Sequence, residues 1–474
     1  MKVTIQNLGI LQHAEIELKP LTVFIGLNGT GKTWTAHTLS AILGPYGYSK
    51  YLKAYLTGKV AQTYPPLQAA MTKLLEQGSV QLDILQFAND YLETYVNDVA
   101  RLAPTWMRSF LATNRVNFDQ LQVSFQLAAT KAECLAKIQT ATIDRQLGVG
   151  RDKALLHALK EAGNATIHFY SEGDSLEKLP PKAFKLFVAG EVFKLFHQSF
   201  FTGLYVLPTE RTTFITFPIS TAAKEEIGIQ DNFAENVQTA VEKHGERLTG
   251  TIQHFLTMTA IASRIEGSVD RQDQIRENPD LQKFVKLADF LEQEILRGSL
   301  QFETDAMGRK KLLFQYAKEA RLEMPIASAM AKELAPLALY LRYLATPGEW
   351  LIFDEPEMNL HPALQVELME FLGMLVNAGL QVLITTHSPY LVDHLINLMQ
   401  ATKHPDHENI KKLFYLEQPH AFLVRAQVSA YLFREDEDSE KVTVRNILTE
   451  DGLMDWETFS NVSEDVSAIY SQLL

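Results

Sequence analysis

The chain has 474 residues, 46% of them hydrophobic and 21% charged, which excludes a disordered polymer and exceeds what one hydrophobic core holds, so two lobes or more are expected. A formal charge of -13 opposes non-specific attraction to nucleic acid or anionic membrane, so charge does not indicate either as a partner. The single cysteine, Cys134, excludes an internal disulfide or a Cys-rich metal site, no apolar run approaches the roughly 20 residues of a membrane span, and a reducing, cytoplasmic setting is expected.

Residues 1–43 begin with two β-rich runs, VTIQNLGIL and AEIELKPLTVFIG, read as a short antiparallel element and a buried strand ending in glycines. That strand runs into FIGLNGTGKTWTAHTL, where Gly26, Gly31, Lys32 and Thr33 satisfy G-x-x-x-x-G-K-[ST] between a strand and a helix. The spacing dictates the chemistry. Glycines let backbone N–H groups turn around a β-phosphate, and the helix N-terminus adds its positive end. Lys32 reaches β and γ oxygens, while Thr33 offers its hydroxyl to Mg²⁺. Asn28, Gly29 and Thr30 complete the loop, and Trp34, directly after it, is counted with the nucleotide-binding residues.

Residues 44–200 read as a mainly helical insertion with strands at LQVSF and ATIHFY; Pro65, Pro66 and Pro104 and the lack of heptads argue against a long coiled-coil arm. Residues 201–219 hold a core strand and turn, GLYVLPTER, in which a structural salt bridge is the expected role of Arg211. Residues 220–297 return to helical periodicity. Residues 298–400 then bring a hairpin turning at Met307 and Gly308, an amphipathic to buried helix in AMAKELAPLALYLRYLA, and two strand-then-helix units. The last, 401–474, is a β/α tail whose FREDEDSEK stretch, with Asp436 and Asp438, reads as the solvated tip of a hairpin. Alternating strands and helices imply a mostly parallel sheet with ligands beyond its carboxyl edge.

In EWLIFDEPE an apolar strand delivers Asp354 to that edge to hold Mg²⁺, and Glu355 diverges from it to orient or deprotonate an attacking water. VLITTHSP places His387 after another apolar strand, where its imidazole can hydrogen-bond a γ-phosphate. Lys32, Glu355 and His387 are therefore the expected catalytic residues, and Thr33 and Asp354 the metal ligands, with ATP and Mg²⁺ as substrate and cofactor. No Asn-Lys-x-Asp base-reading motif favours GTP.

The order P-loop, DEPE and strand-TTH resembles the ABC-type ATPase heads of the SMC-like and overcoming-lysogenization-defect (OLD) families, over residues 1 to 30 or so and roughly 298 to 400. YVLPTER resembles the strand and turn preceding the second half of many OLD-like ATPases. The resemblance implies an α/β P-loop NTPase fold of ABC-ATPase-head type, with a mostly parallel core sheet, an N-terminal antiparallel β element and a large helical insertion. It implies ATP sandwiched between the P-loop of one protomer and a signature helix of another, hence a homodimer or higher assembly. ASAMAKELAPL stands at the signature place, with Ser328 as the trans γ-phosphate contact, and NLHP, residues 359–362, resembles the D-loop. Ala329 and Met330 replace the usual glycines of the signature, and no glutamine loop is recognisable. The C-terminal TOPRIM nuclease of OLD proteins proper has no counterpart, which implies a separate effector. The resemblance thus points to an ATP-driven switch, the regulatory ATPase of a bacterial anti-phage system; an SMC-like DNA-clamping ATPase and a non-hydrolysing ATP-gated scaffold are the alternatives.

Overall fold

The computed structural model describes residues 1–148, 154–171, 179–216, 248–265, 270–304, 310–317, 320–436, 441–454 and 469. The expected turn at Met307 and Gly308, residues 437–440 of the acidic tip including Asp438, and the whole of 220–247 lie outside them. Two compact units partition the chain: Met1–Asn7 with Ala41–Met107 and Phe118–Thr202, and Leu8–Ser40 with Arg108–Asn117 and the chain from Gly203 onward. Among the described residues no helix is long and apolar enough to cross a membrane.

The first unit contains the helices Pro45–Leu56, Pro65–Gln77, Lys131–Thr140 and Pro181–Phe200, and the helix Ile84–Phe110 as far as Met107. Helix is the main element among its described residues, and alongside runs a four-stranded antiparallel sheet, in the order Ser79–Asp83, Thr166–Ser171, Ala154–Lys160 and Ile143–Gly148, larger than the two strands read from the sequence. Of the two strands read from the sequence, one is in this sheet as Thr166–Ser171 and the other, Gln122–Gln126, pairs antiparallel with Lys2–Leu8. The helices meet over aromatic rings: Tyr51, Tyr95 and Phe193 lie with centroids 4.9 to 5.4 Å apart. Their polar ends are satisfied internally. The Tyr51 and Tyr64 hydroxyls pair at 2.7 Å, and Tyr64 donates to Asp98 at 3.2 Å. His197 lies 3.0 Å from the Gly44 carbonyl, which can only accept, so Nε2 carries the proton and Nδ1 accepts from the Tyr95 hydroxyl at 3.1 Å.

The second unit is built on a sheet running Leu11–Glu17, Val442–Asn446, Val428–Glu435, Leu21–Gly26, Gln381–Thr386, Trp350–Asp354 and Leu204–Leu207. Its pairings are parallel except that between Val428–Glu435 and Val442–Asn446. LTVFIG and WLIFD are buried at every position, the pattern of strands covered on both faces rather than one. Helices Lys32–Leu43, Ala329–Tyr343, Pro362–Asn377 and Pro389–Ala401 accompany these strands, and the core joins Leu21, Val23, Leu351, Phe353, Val382 and Ile384 of the sheet to Leu334, Leu337, Leu368 and Leu395 of the last three helices. The hairpin expected after residue 298 pairs Ser299–Thr304 with Lys310–Ala317, and a short third strand, Ala320–Glu323, joins it. This is the α/β P-loop NTPase fold of ABC-ATPase-head type: the strand carrying the glycine loop lies beside the TTH strand, which in turn lies beside the DEPE strand.

Candidate functional site

The carboxyl ends of three adjacent parallel strands bring the sequence-predicted residues together. Phe24 and Ile25 lie in register with Thr385 and Thr386, and Asp354 with Thr385, so loop, DEPE turn and TTH segment leave the sheet side by side. Gly26 has φ +150°, and a Cβ there would come within 2.3 Å of the Phe433 carbonyl oxygen, so the strand closes on its neighbour only without a side chain. Gly29 and Gly31 have φ +83° and +87°, and the Cβ direction of each faces open space, leaving the loop backbone accessible.

Lys32 is 4% exposed, and its amine donates to the carbonyls of Gly26 at 2.8 Å and Leu27 at 2.7 Å, curling back over its own loop. Burial pushes its pKa below the ordinary lysine value, opposed by Glu355, Glu357 and Asp354. Thr30 donates to the Leu27 carbonyl at 2.8 Å, while Asn28 is exposed. Trp34 lies against the Gly9 turn, its ring 3.0 Å from where a Gly9 Cβ would be.

Thr33 donates to Asp354 Oδ1 at 3.0 Å, so the two expected metal ligands already face one another. Thr385 also donates to Oδ1, while Oδ2, buried, has no hydrogen bond and lies 3.8 Å from Nε2 of the buried His37. This pair of oxygen donors, one carboxylate with a spare buried oxygen and one hydroxyl at a helix N-terminus, fits a hard, oxygen-liganded cation such as Mg²⁺.

Glu355 diverges from Asp354 as its backbone passes through φ +45°, a conformation costly for a residue with a side chain. Its amide is held by the Thr385 carbonyl at 3.1 Å and hydroxyl at 3.0 Å. Burial raises the Glu355 pKa, with Asp354 adding to the rise and His387 opposing it. His387 Nδ1 lies 3.8 Å from Glu355 Oε1 and 3.4 Å from Glu357 Oε1.

Glu357 escaped the sequence reading. It is 5% exposed and its Oε1 accepts from the Thr386 hydroxyl at 2.6 Å and the His387 amide at 2.8 Å, so it fixes the segment that carries the imidazole. Arg211 makes the structural salt bridge expected of it, and more. Wholly buried, it lies over the Phe353 ring at 4.7 Å and contacts Glu333 Oε2 at 2.8 Å as a close ion pair rather than an aligned hydrogen bond. It also donates to the carbonyls of Pro208, Asp354 and Glu355 at 2.8 to 2.9 Å.

Ser328 is the N-cap of the Ala329–Tyr343 helix, its hydroxyl accepting from the Ala331 amide at 3.1 Å. Lys332 donates to the Pro325 carbonyl at 2.8 Å. At the D-loop-like segment, Asn359 (φ +56°) donates to Glu333 Oε1 at 2.7 Å, and His361 caps the Pro362–Asn377 helix.

A family model described as "AAA domain, putative AbiEii toxin, Type IV TA system" matches residues 270–393, the stretch that includes Ser328, Asp354, Glu355 and His387. A search of curated proteins finds no match. Among solved structures the chain is similar to an Smc head bound to the C-terminal winged-helix domain of ScpA, at 10% identity and TM-score 0.37, covering 95% of this chain and 97% of that one. It is also similar to an Smc head with an extended coiled coil bound to the C-terminal domain of ScpA, from Pyrococcus furiosus, at 10% identity and TM-score 0.36, covering 99% and 98%. Likeness at this level adds nothing to what the strand order and glycine loop establish.

Proposed function

We propose that this chain binds ATP with Mg²⁺ and hydrolyses it, using the cycle as a conformational switch that regulates a separate effector. The observation that carries the reading is the meeting of Lys32 and Thr33, from the loop, with Asp354, Glu355 and His387, from two other strand ends. In this reading the backbone of Gly26, Asn28, Gly29, Thr30 and Gly31 wraps the phosphates, Trp34 lies beside them, and Lys32 leaves its loop carbonyls to neutralise β and γ oxygens. Thr33 and Asp354 would hold the Mg²⁺, which supplies charge neutralisation on the triphosphate when bound. Glu355, set apart from Asp354 by its own backbone turn, accepts the proton of the attacking water, and His387 hydrogen-bonds the γ-phosphate.

Two heads close on ATP, with Ser328 of one facing the loop of the other across the NLHP segments. Its present use as a cap acceptor leaves the hydroxyl proton available for a phosphate. The description of the matching family model, a toxin of a toxin–antitoxin system, is in keeping with a chain that works with a second protein, and we place it in bacterial anti-phage defence on the OLD-like order of its motifs.

The switch is tested by light scattering with and without ATP. Glu355→Gln keeps the volume but cannot take the proton, so ATP should accumulate a dimer; adding Ser328→Arg should leave nucleotide affinity intact and abolish that dimer. A dimer that forms regardless of ATP, or survives Ser328→Arg, would remove the sandwich from the account.

A further inference from the structure

One guanidinium connects three segments that the chemistry needs in register. Arg211 begins the short helix Arg211–Thr216 after the Leu204–Leu207 strand, and donates to the carbonyls of both Asp354 and Glu355, bracketing the peptide on which the two carboxylates diverge. On its other side it meets Glu333, whose second oxygen accepts from Asn359 at 2.7 Å and from Thr212 at 2.6 Å. Arg211 and Glu333 are both fully buried. A buried ion pair is a poor means of gaining stability, because two charges must be desolvated to form it, yet its five-donor planar fork fixes orientation as an apolar contact does not. Here the oriented object is the Glu355 turn, which sits at an unfavourable positive φ and needs its carbonyl held.

We propose that Arg211 is a positioning residue for hydrolysis, holding the Asp354–Glu355 turn in its working conformation, and that Glu333 makes this hold depend on the position of the Ser328-capped helix. This rests on the ATPase reading above. A shift of that helix moves Glu333, Glu333 moves the guanidinium, and the guanidinium moves the carbonyl of Glu355. The Asn359 contact carries the same shift into the D-loop-like turn. A head whose helix is displaced therefore binds ATP without being set to hydrolyse it.

The test uses the full chain with Arg211→Lys, which keeps the charge but loses the fork, and Glu333→Gln, which keeps the volume but loses the charge. Each should lower kcat about tenfold or more while the dissociation constant for ATP stays within about threefold, because the loop that binds phosphate is untouched. Hydrogen exchange without nucleotide should rise in peptides covering 354–361 and stay low in 381–386. A purely structural ion pair would lower the melting temperature and leave kcat of the folded fraction and this local contrast unchanged. Folded Glu333→Gln with wild-type kcat and exchange would overturn the proposal even if Arg211→Lys did not fold. Turnover that is lost in Lys32→Ala yet unchanged in both variants would overturn this inference alone. Turnover that persists in Lys32→Ala would overturn the ATPase reading and this inference with it.

Discussion

Glu357 spends its carboxylate on geometry: Oε1 takes both the buried Thr386 hydroxyl and the His387 amide. Truncation to alanine would strand two donors in a site where water has little access, at about 1–3 kcal/mol for each. Glutamine keeps an acceptor oxygen and removes one of three crowded carboxylates. Glu357→Ala should therefore lose about 2 kcal/mol or more in urea unfolding, and Glu357→Gln should stay within about 1 kcal/mol of wild type. Equal losses would show that the charge, not the acceptor, matters there. Residues of this kind are hard to read from sequence. Lys32, Thr33, Asp354 and Glu355 announce themselves because loop chemistry fixes their spacing, and His387 because it follows an apolar strand. Glu357 has no such spacing, and the Arg211–Glu333 pair joins residues far apart in the chain through burial that no local pattern encodes. His37 opposite Asp354 was equally silent; its only signal is a polar residue one turn beyond Thr33 on a helix whose neighbours are buried.

Elements follow the same division. LTVFIG, WLIFD and QVLITT are legible as core strands because each centres on an uninterrupted apolar run, as strands covered on both faces require. ALLHALK is not: alanine, leucine and lysine favour helix, yet Ala154–Lys160 pairs on both sides in the first unit's sheet, where tertiary pairing overrides propensity. Close strand packing makes Gly26 a sensitive point. Gly26→Ala drives a methyl into the Phe433 carbonyl, so it should cost about 1–3 kcal/mol by chemical denaturation and weaken nucleotide binding. Unaltered stability would mean that the two strands separate there at little cost. The Pro181–Phe200 helix carries a pH dependence through His197, whose pKa burial lowers to about 4 from its ordinary value near 6.5. The unfolded chain then binds the proton first, so this contribution is complete above about pH 6.5 and is lost as pH falls toward 4, amounting to roughly 2 kcal/mol by pH 5. Thermal melts at pH 7.5 and 5 should show the drop, and it should shrink in His197→Gln; a drop of the same size in that variant would assign it to other groups.

Across the whole molecule, the fold places its glycine loop and its acidic turn at the same edge of one sheet, the edge at which the proposed ATP hydrolysis would become movement. The proposed sandwich, effector and defence role each involve a second molecule, and the sequence points to them only through family resemblance. The proposed hydrolysis draws its catalytic residues, Lys32, Glu355 and His387, from this chain. The measurement that tests it most directly is phosphate release from ATP with Mg²⁺ by the purified wild type, Lys32→Ala and Glu355→Gln, alongside equilibrium binding of ATP to each. Wild type should turn over steadily, both variants should lose turnover by about 100-fold or more, and ATP binding should persist in Glu355→Gln but weaken in Lys32→Ala. Undiminished turnover in Lys32→Ala, or ATP binding indifferent to that substitution, would mean that the glycine loop is not the nucleotide site.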